Sequence, residues 1–243
     1  SRNLDRDKLP VMGKIWSTLD RFTERRWASA AIAAALVLGV LGFIHSEKLK
    51  VGDLDAGAPE LRPDSRYNRD NAFITSNYGI SSDVFAVMVK TAPDQCRSFE
   101  TLTETDRLSW TLAQVPGVQR TVSLADTVRA YTSGGMEGNP KWMTISDNQS
   151  LIDPQISNAL NWNSEFVNAQ CSMMPVLAFL SDHKAETLDR VVHAAREFAA
   201  AHDTPERKFL LAAGSSGVDA ATNIVVKEAN RTMLFYVYGA VIL

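Results

Sequence analysis

The sequence predicts a membrane α-helical part joined to an extracytoplasmic α+β domain of strand-helix-strand-strand-helix-strand order, lying between two transmembrane helices. Three observations carry this. An uncharged apolar run spans Trp27 to Ile44, a second one opens at Met233, and strand-length and helix-length apolar periodicities alternate between them.

The overall composition, 45% apolar and 22% charged, matches an ordinary globular protein and hides this uneven distribution. The 18 residues from Trp27 to Ile44 contain no charge and nothing more polar than Ser29. At 1.5 Å per residue they reach about 27 Å, close to the roughly 30 Å of a bilayer's hydrocarbon core. A buried core helix rarely runs this long without a polar residue. A cleaved signal peptide is the other competitor, but no small-x-small pattern follows in Gly42 to Glu47. The run is read as a retained anchor over residues 27–45.

Residues 1–26 carry seven Lys or Arg against four Asp or Glu, and Arg21, Arg25 and Arg26 directly precede the span. Residues 46–231 hold 18 basic and 24 acidic side chains. Positive charge beside a span stays in the cytoplasm, so the large segment is expected outside, which in a bacterium is the periplasm. Leu9, Met12, Ile15, Trp16, Leu19 and Phe22 recur at three- and four-residue steps among charged residues. This predicts an amphipathic helix on the cytoplasmic membrane surface, with a partner-protein helix as the weaker alternative.

Residues 46–81 are expected to form an extended, charged connector, because glycine, proline and carboxylates crowd Val51 to Asp70. Val84 to Val89 reads as a buried strand, and Phe99 to Val115 as a helix ended by Pro116-Gly117. Val118 to Val122 reads as a second strand. Residues 126–170 show no clean period and are expected to be an irregular insertion with short helices. Pro175 to Leu180 is a third strand, followed by a helix that Ser181 or Asp182 can cap, with Leu188, Val191, Val192, Ala195, Phe198 and Ala199 as its apolar stripe. Lys208 to Ala213 is a fourth strand. This order is the split-βαβ, ferredoxin-like arrangement. A last helix with Ala221, Ile224, Val225 and Ala229 on one face leads into residues 232–243, the start of a second span. That run is too short to cross a bilayer, so the natural chain is expected to continue.

Gly52, Asp53, Leu54, Asp55, Ala56, Gly57, Ala58, Pro59, Glu60 and Leu61, then Ser65, Arg66, Tyr67, Asn68, Arg69 and Asp70, form a distinctive stretch. Together with Pro116-Gly117-Val118, Val122-Ser123-Leu124 and Ala213 to Gly217, they resemble the first repeat of the resistance-nodulation-division (RND) superfamily of exporters, in its MMPL-type branch. The resemblance covers nearly the whole chain from Trp27 and carries no information on substrate identity. It implies an inner-membrane transporter and not an enzyme, exporting a hydrophobic or lipid-like substrate through a porter-type periplasmic domain. It also implies proton drive through membrane helices beyond Leu243. Membrane lipids are implied partners, with room for a homo-oligomer or periplasmic partner proteins. A membrane-anchored binding or assembly module without transport is the competing class.

No catalytic set, cofactor or metal is predicted. Asp53, Asp55, Glu60 and Asp64 lack the spacing of an EF-hand loop, and Pro59 and Pro63 splay the backbone between them. Gly214 to Gly217 departs from Gly-x-Ser-x-Gly and reads as a strand-to-helix turn. His183 reads as polarity at a helix start, His45 as an interfacial residue, and His193 and His202 as helix-surface residues. Trp142, Trp162, Phe166, Met173 and Met174 are candidates for an adaptable substrate pocket, with core packing as the alternative. No basic stripe supports nucleic-acid binding. Cys96 and Cys171 both fall in the segment placed outside, where oxidation favours a disulfide over two separate buried thiols.

Overall fold

The computed structural model describes residues 20–46, 52–58, 60–162 and 164–242, in two compact units, 1–50 and 51–243. The amphipathic helix expected around residues 9–25 lies mostly outside the described residues, as does Pro59.

In the first unit, helix α1 (Arg25–Ser46) has no buried residue. Among the described residues it is the one helix long and apolar enough to cross a membrane. Hydrophobic side chains stand open all round it, Leu38 at 68% exposure being typical. Such a helix lacks the single apolar stripe by which a helix of a soluble protein packs.

The second unit is a mixed α/β domain around one antiparallel sheet of β1 (Val84–Thr91), β2 (Val118–Ser123), β3 (Met173–Leu180) and β4 (Arg207–Ala213), in the order β2-β3-β1-β4. In β3 each residue on one side is buried and each on the other half-buried, the period of two of a sheet covered on one face. Register aligns the covered sides, placing Val87 beside Val176 and Val89 beside Phe209. Helix α3 (Phe99–Ala113) and helix α6 (Ala185–His202) share the core with Phe85, Val87 and Val89. Leu102, Leu108, Leu112 and Leu188 are at most 1% exposed, so each contributes about 1.5–3 kcal/mol of burial.

Several elements differ from the sequence expectation. The connector read as extended contains helix α2 (Arg66–Tyr78). Ser65 caps it by accepting from the Asn68 N–H, and Gly79 ends it in the left-handed conformation at φ 59°. Its half-buried side chains are the polar Asn68, Asn71 and Thr75, while Tyr67, Phe73, Ile74 and Tyr78 are exposed. That inversion explains why no inward apolar period is visible there.

Residues 126–170 hold much of α4 (Leu124–Gly134) and all of α5 (Gln149–Trp162). Val128, Ile152, Ile156 and Ala159 join the core, so part of this stretch is packed helix. Pro154 within α5 masks the period in the sequence. The last helix, α7 (Ser215–Ile242), runs unbroken through Asn230-Arg231. Its packed side is Ser216, Ala220 and Ile224, whereas Val225 and Ala229 are exposed, because the helix leaves the domain there.

Polar groups link these elements. His202 Nδ1 lies 2.7 Å from Glu104 Oε2 and its ring stacks on Phe198 at 4.1 Å, so it bridges α6 to α3 and is not a free surface residue. Arg129 on α4 pairs with Asp126 at 2.9 Å and with Asp106 on α3 at 3.3 Å. Burial holds the Asp106 carboxyl above the usual carboxylate range, opposed by Arg129 and reinforced by Asp126.

Candidate functional site

The glycine- and carboxylate-rich stretch after α1 is where the structure concentrates specific contacts. The side chain of Asn68 is its hub. Its Oδ1 accepts from the Ala58 N–H at 2.9 Å, and its Nδ2 donates to the carbonyls of Ala58 at 3.2 Å and Arg62 at 3.0 Å. Gly57 has φ 83°, and a Cβ there would stand 2.6 Å from Asn68 Oδ1, so glycine is required on both counts. Thus Gly57, Ala58, Ser65 and Asn68 form one knot. Asp55, Glu60, Leu61 and Asp70 are exposed around it, and Asp70 pairs with Arg66 at 3.4 Å.

Upstream of the knot, the chain passes against the sheet domain. The Asp53 carbonyl accepts from the N–H of Ala185, the first residue of α6, at 2.9 Å. Helix α6 has no side-chain cap at its Lys184 N-cap position, so a distant main-chain oxygen satisfies this first N–H. Asp182 Oδ1 accepts from the Lys184 N–H at 3.1 Å, while Ser181, the other expected cap, donates its hydroxyl to Asp182 at 3.3 Å. At Gly52, φ 115°, any Cβ would overlap the Asn223 amide of α7.

Beside these contacts stands His183, which sequence reasoning treated as helix-start polarity. Its Nδ1 is 3.2 Å from Asp83 Oδ1 and its Nε2 is 3.7 Å from Asp53 Oδ2. The ring side chain is 12% exposed, against 17% for Asp83 and 54% for Asp53. Positions 53, 83 and 183 carry no mutual spacing signal, so only the fold brings them together. Among the described residues no cluster of His, Cys, Asp or Glu is arranged to hold a metal ion.

The proposed pocket residues do not converge. Met174 is fully buried on the covered face of β3, whereas its neighbour Met173 sits half-buried on the opposite face. Phe166 is buried in the core, and Trp142 is 43% exposed on a single turn, Pro140–Trp142. Trp162 ends α5, and its side chain lies outside the described residues. Burial of Met174 and Phe166 in the common core matches the packing alternative. One face of α7 instead carries Val225, Ala229, Met233 and Tyr236 as an open apolar strip.

Cys96 and Cys171 are joined by a disulfide with Cα atoms 5.2 Å apart. It ties the turn after β1 to the loop before β3, and the Cys96 N–H also donates to the Cys171 carbonyl at 3.1 Å. The Gly214 turn is built against β1. At φ 76° its missing Cβ leaves room for the Val84 carbonyl, and no histidine faces Ser215 or Ser216 among the described contacts.

No protein-family model matches the chain, and no curated protein matches it either.

Proposed function

We propose that this chain is the N-terminal anchoring and porter part of an inner-membrane exporter of the RND type, MMPL-like branch, that moves a hydrophobic or amphipathic lipid-like substrate. The carrying observation is α1, a 22-residue helix with no buried side chain, in a chain that also holds a folded α/β unit. A helix apolar on every side is at home in lipid, where its backbone groups are satisfied internally. Basic residues at Arg25 and Arg26 support an N-terminus on the cytoplasmic side and the sheet domain in the periplasm.

Three further features support the reading. The strand order β2-β3-β1-β4, all antiparallel, with α3 and α6 as crossovers, is what a ferredoxin-like porter domain would require. The end of α7 carries exposed Phe235, Tyr236, Tyr238 and Val241, suited to a return into the bilayer. The disulfide fits an oxidising compartment.

Reporter fusions and lipid profiling test the two halves of this proposal. Alkaline phosphatase joined in the loop near Asn168 is expected to be active and a green fluorescent reporter there dark; the reverse would place the domain in the cytoplasm. Deletion of the gene is expected to retain a specific lipid class in the inner membrane. An unchanged envelope lipid profile would remove the transport reading and leave an anchored binding module.

A further inference from the structure

We infer that His183 is a proton-dependent clasp that fastens the segment 52–58, which follows the apolar helix in the chain, onto the sheet domain. The inference rests on contacts within the second unit and does not depend on the transport reading.

The geometry is an imidazole between two carboxylates, one at each ring nitrogen: Asp83 at Nδ1 and Asp53 at Nε2. A neutral imidazole has one N–H and one lone pair. It can donate to one carboxylate only, and its lone pair then faces the other negative charge. The imidazolium donates from both nitrogens and attracts both carboxylates.

The nearest charged residues along the chain are Asp182, Lys184 and, in the first turn of α6, Glu186. Asp182 is engaged by the Lys184 N–H and the Ser181 hydroxyl. Asp83 is held at the start of the sheet, where its carbonyl accepts from the Leu180 N–H at 2.9 Å and also from the Ser81 hydroxyl at 3.4 Å. Asp83 is therefore the fixed jaw. Asp53, half exposed, is the moving one. Its side chain meets His183 while its carbonyl caps α6 through Ala185, and Gly52 beside it closes against Asn223 of α7. Protonation of His183 draws in Asp53 and steadies the hydrogen bond that completes the start of α6. The segment, α6 and the beginning of β1 are fastened as one unit when the ring is charged and loosened when it is neutral.

Amide hydrogen exchange of the full chain in lipid nanodiscs tests this, read at the Ala185 amide and corrected for intrinsic exchange. Between about pH 8 and about pH 5.5, protection at Ala185 is expected to rise about two- to fivefold, the scale of a partly exposed ion pair. Amides of Phe85 to Val89 serve as the internal control and are expected to hold steady. His183→Gln, which keeps a neutral donor, is expected to abolish the rise. Asp53→Asn, a change at a half-exposed side chain that leaves the fold intact, is expected to flatten it while Ala185 remains hydrogen-bonded. Equal protection of Ala185 at both pH values in the unaltered chain would overturn the clasp. So would the same rise persisting in Asp53→Asn.

Discussion

Breaking the Cys96–Cys171 bond is the perturbation whose cost can be worked furthest from the structure. The two residues are 75 positions apart, and the closed loop contains α3, β2, α4 and α5. In the chain-entropy treatment a loop of this size withholds about 15 cal/mol/K from the unfolded ensemble, or about 4.5 kcal/mol at 25 °C. Strain and residual unfolded structure lower measured values, which typically fall near 2–4 kcal/mol. For a domain of this size each kcal/mol moves the thermal midpoint by roughly 2–4 °C. Reduction is therefore expected to lower the midpoint by about 4–16 °C. The assay is thermal unfolding of the detergent-solubilised chain followed by near-UV circular dichroism, with and without reductant. A parallel Cys96→Ala, Cys171→Ala variant is expected to lose somewhat more, because both sulfurs are buried and their removal leaves a void. A drop below about 2 °C on complete reduction would refute the loop-closure reasoning. Mass spectrometry of non-reduced peptides that found both thiols free would refute the bond itself.

Two further outcomes follow from particular side chains. Asp106 binds its proton more tightly in the folded chain than in the unfolded one, because burial raises its carboxyl. The associated stability is fully present below the unfolded carboxylate's value near 4 and is lost as pH rises through the raised folded value. Asp106→Asn is expected to remove that decline, measured as the denaturant midpoint against pH; an equal decline in the variant would exclude Asp106 as its source. Met174→Ala should cost about 2–5 kcal/mol because the side chain is fully buried, while Met173→Ala on the open face should cost well under half as much. Equal losses in denaturant unfolding would mean that the two do not face opposite sides of the sheet.

The four strands and both crossover helices were legible because each carries its own local period and its own stop. Pro116-Gly117 ends the approach to β2, where Gly117 has φ 103°, and the half-buried, buried alternation of β3 follows Met173 to Leu180 residue by residue. Elements without an inward apolar period escaped. Helix α2 half-buries the polar Asn68, Asn71 and Thr75 and exposes its aromatics, so a search for buried apolar stripes finds nothing. Helix α4 was hidden differently: its buried Leu124, Ala125 and Val128 sit in the first turns, beside a Ser-Gly-Gly end that reads as loop.

The site was less legible than the fold, because its contacts join residues that no local pattern relates. Asn68 reaches back to Ala58, and Gly57 is needed only because the Asn68 amide occupies the space of its missing Cβ. The Asp53–His183 contact crosses a span of sequence that contains most of the domain. Its parts look bland in isolation: an aspartate in an acidic loop, an aspartate before a strand, a histidine before a helix. Each acquires meaning from the same fact of topology, that β1 and β3 are neighbours, since this sets Asp83 before β1 beside the chain leaving Leu180 at the end of β3. Once that adjacency is fixed, an α6 start with no side chain of its own to cap it leaves an N–H to be satisfied. The segment that carries Asp53 satisfies it, and the charge on His183 decides how firmly.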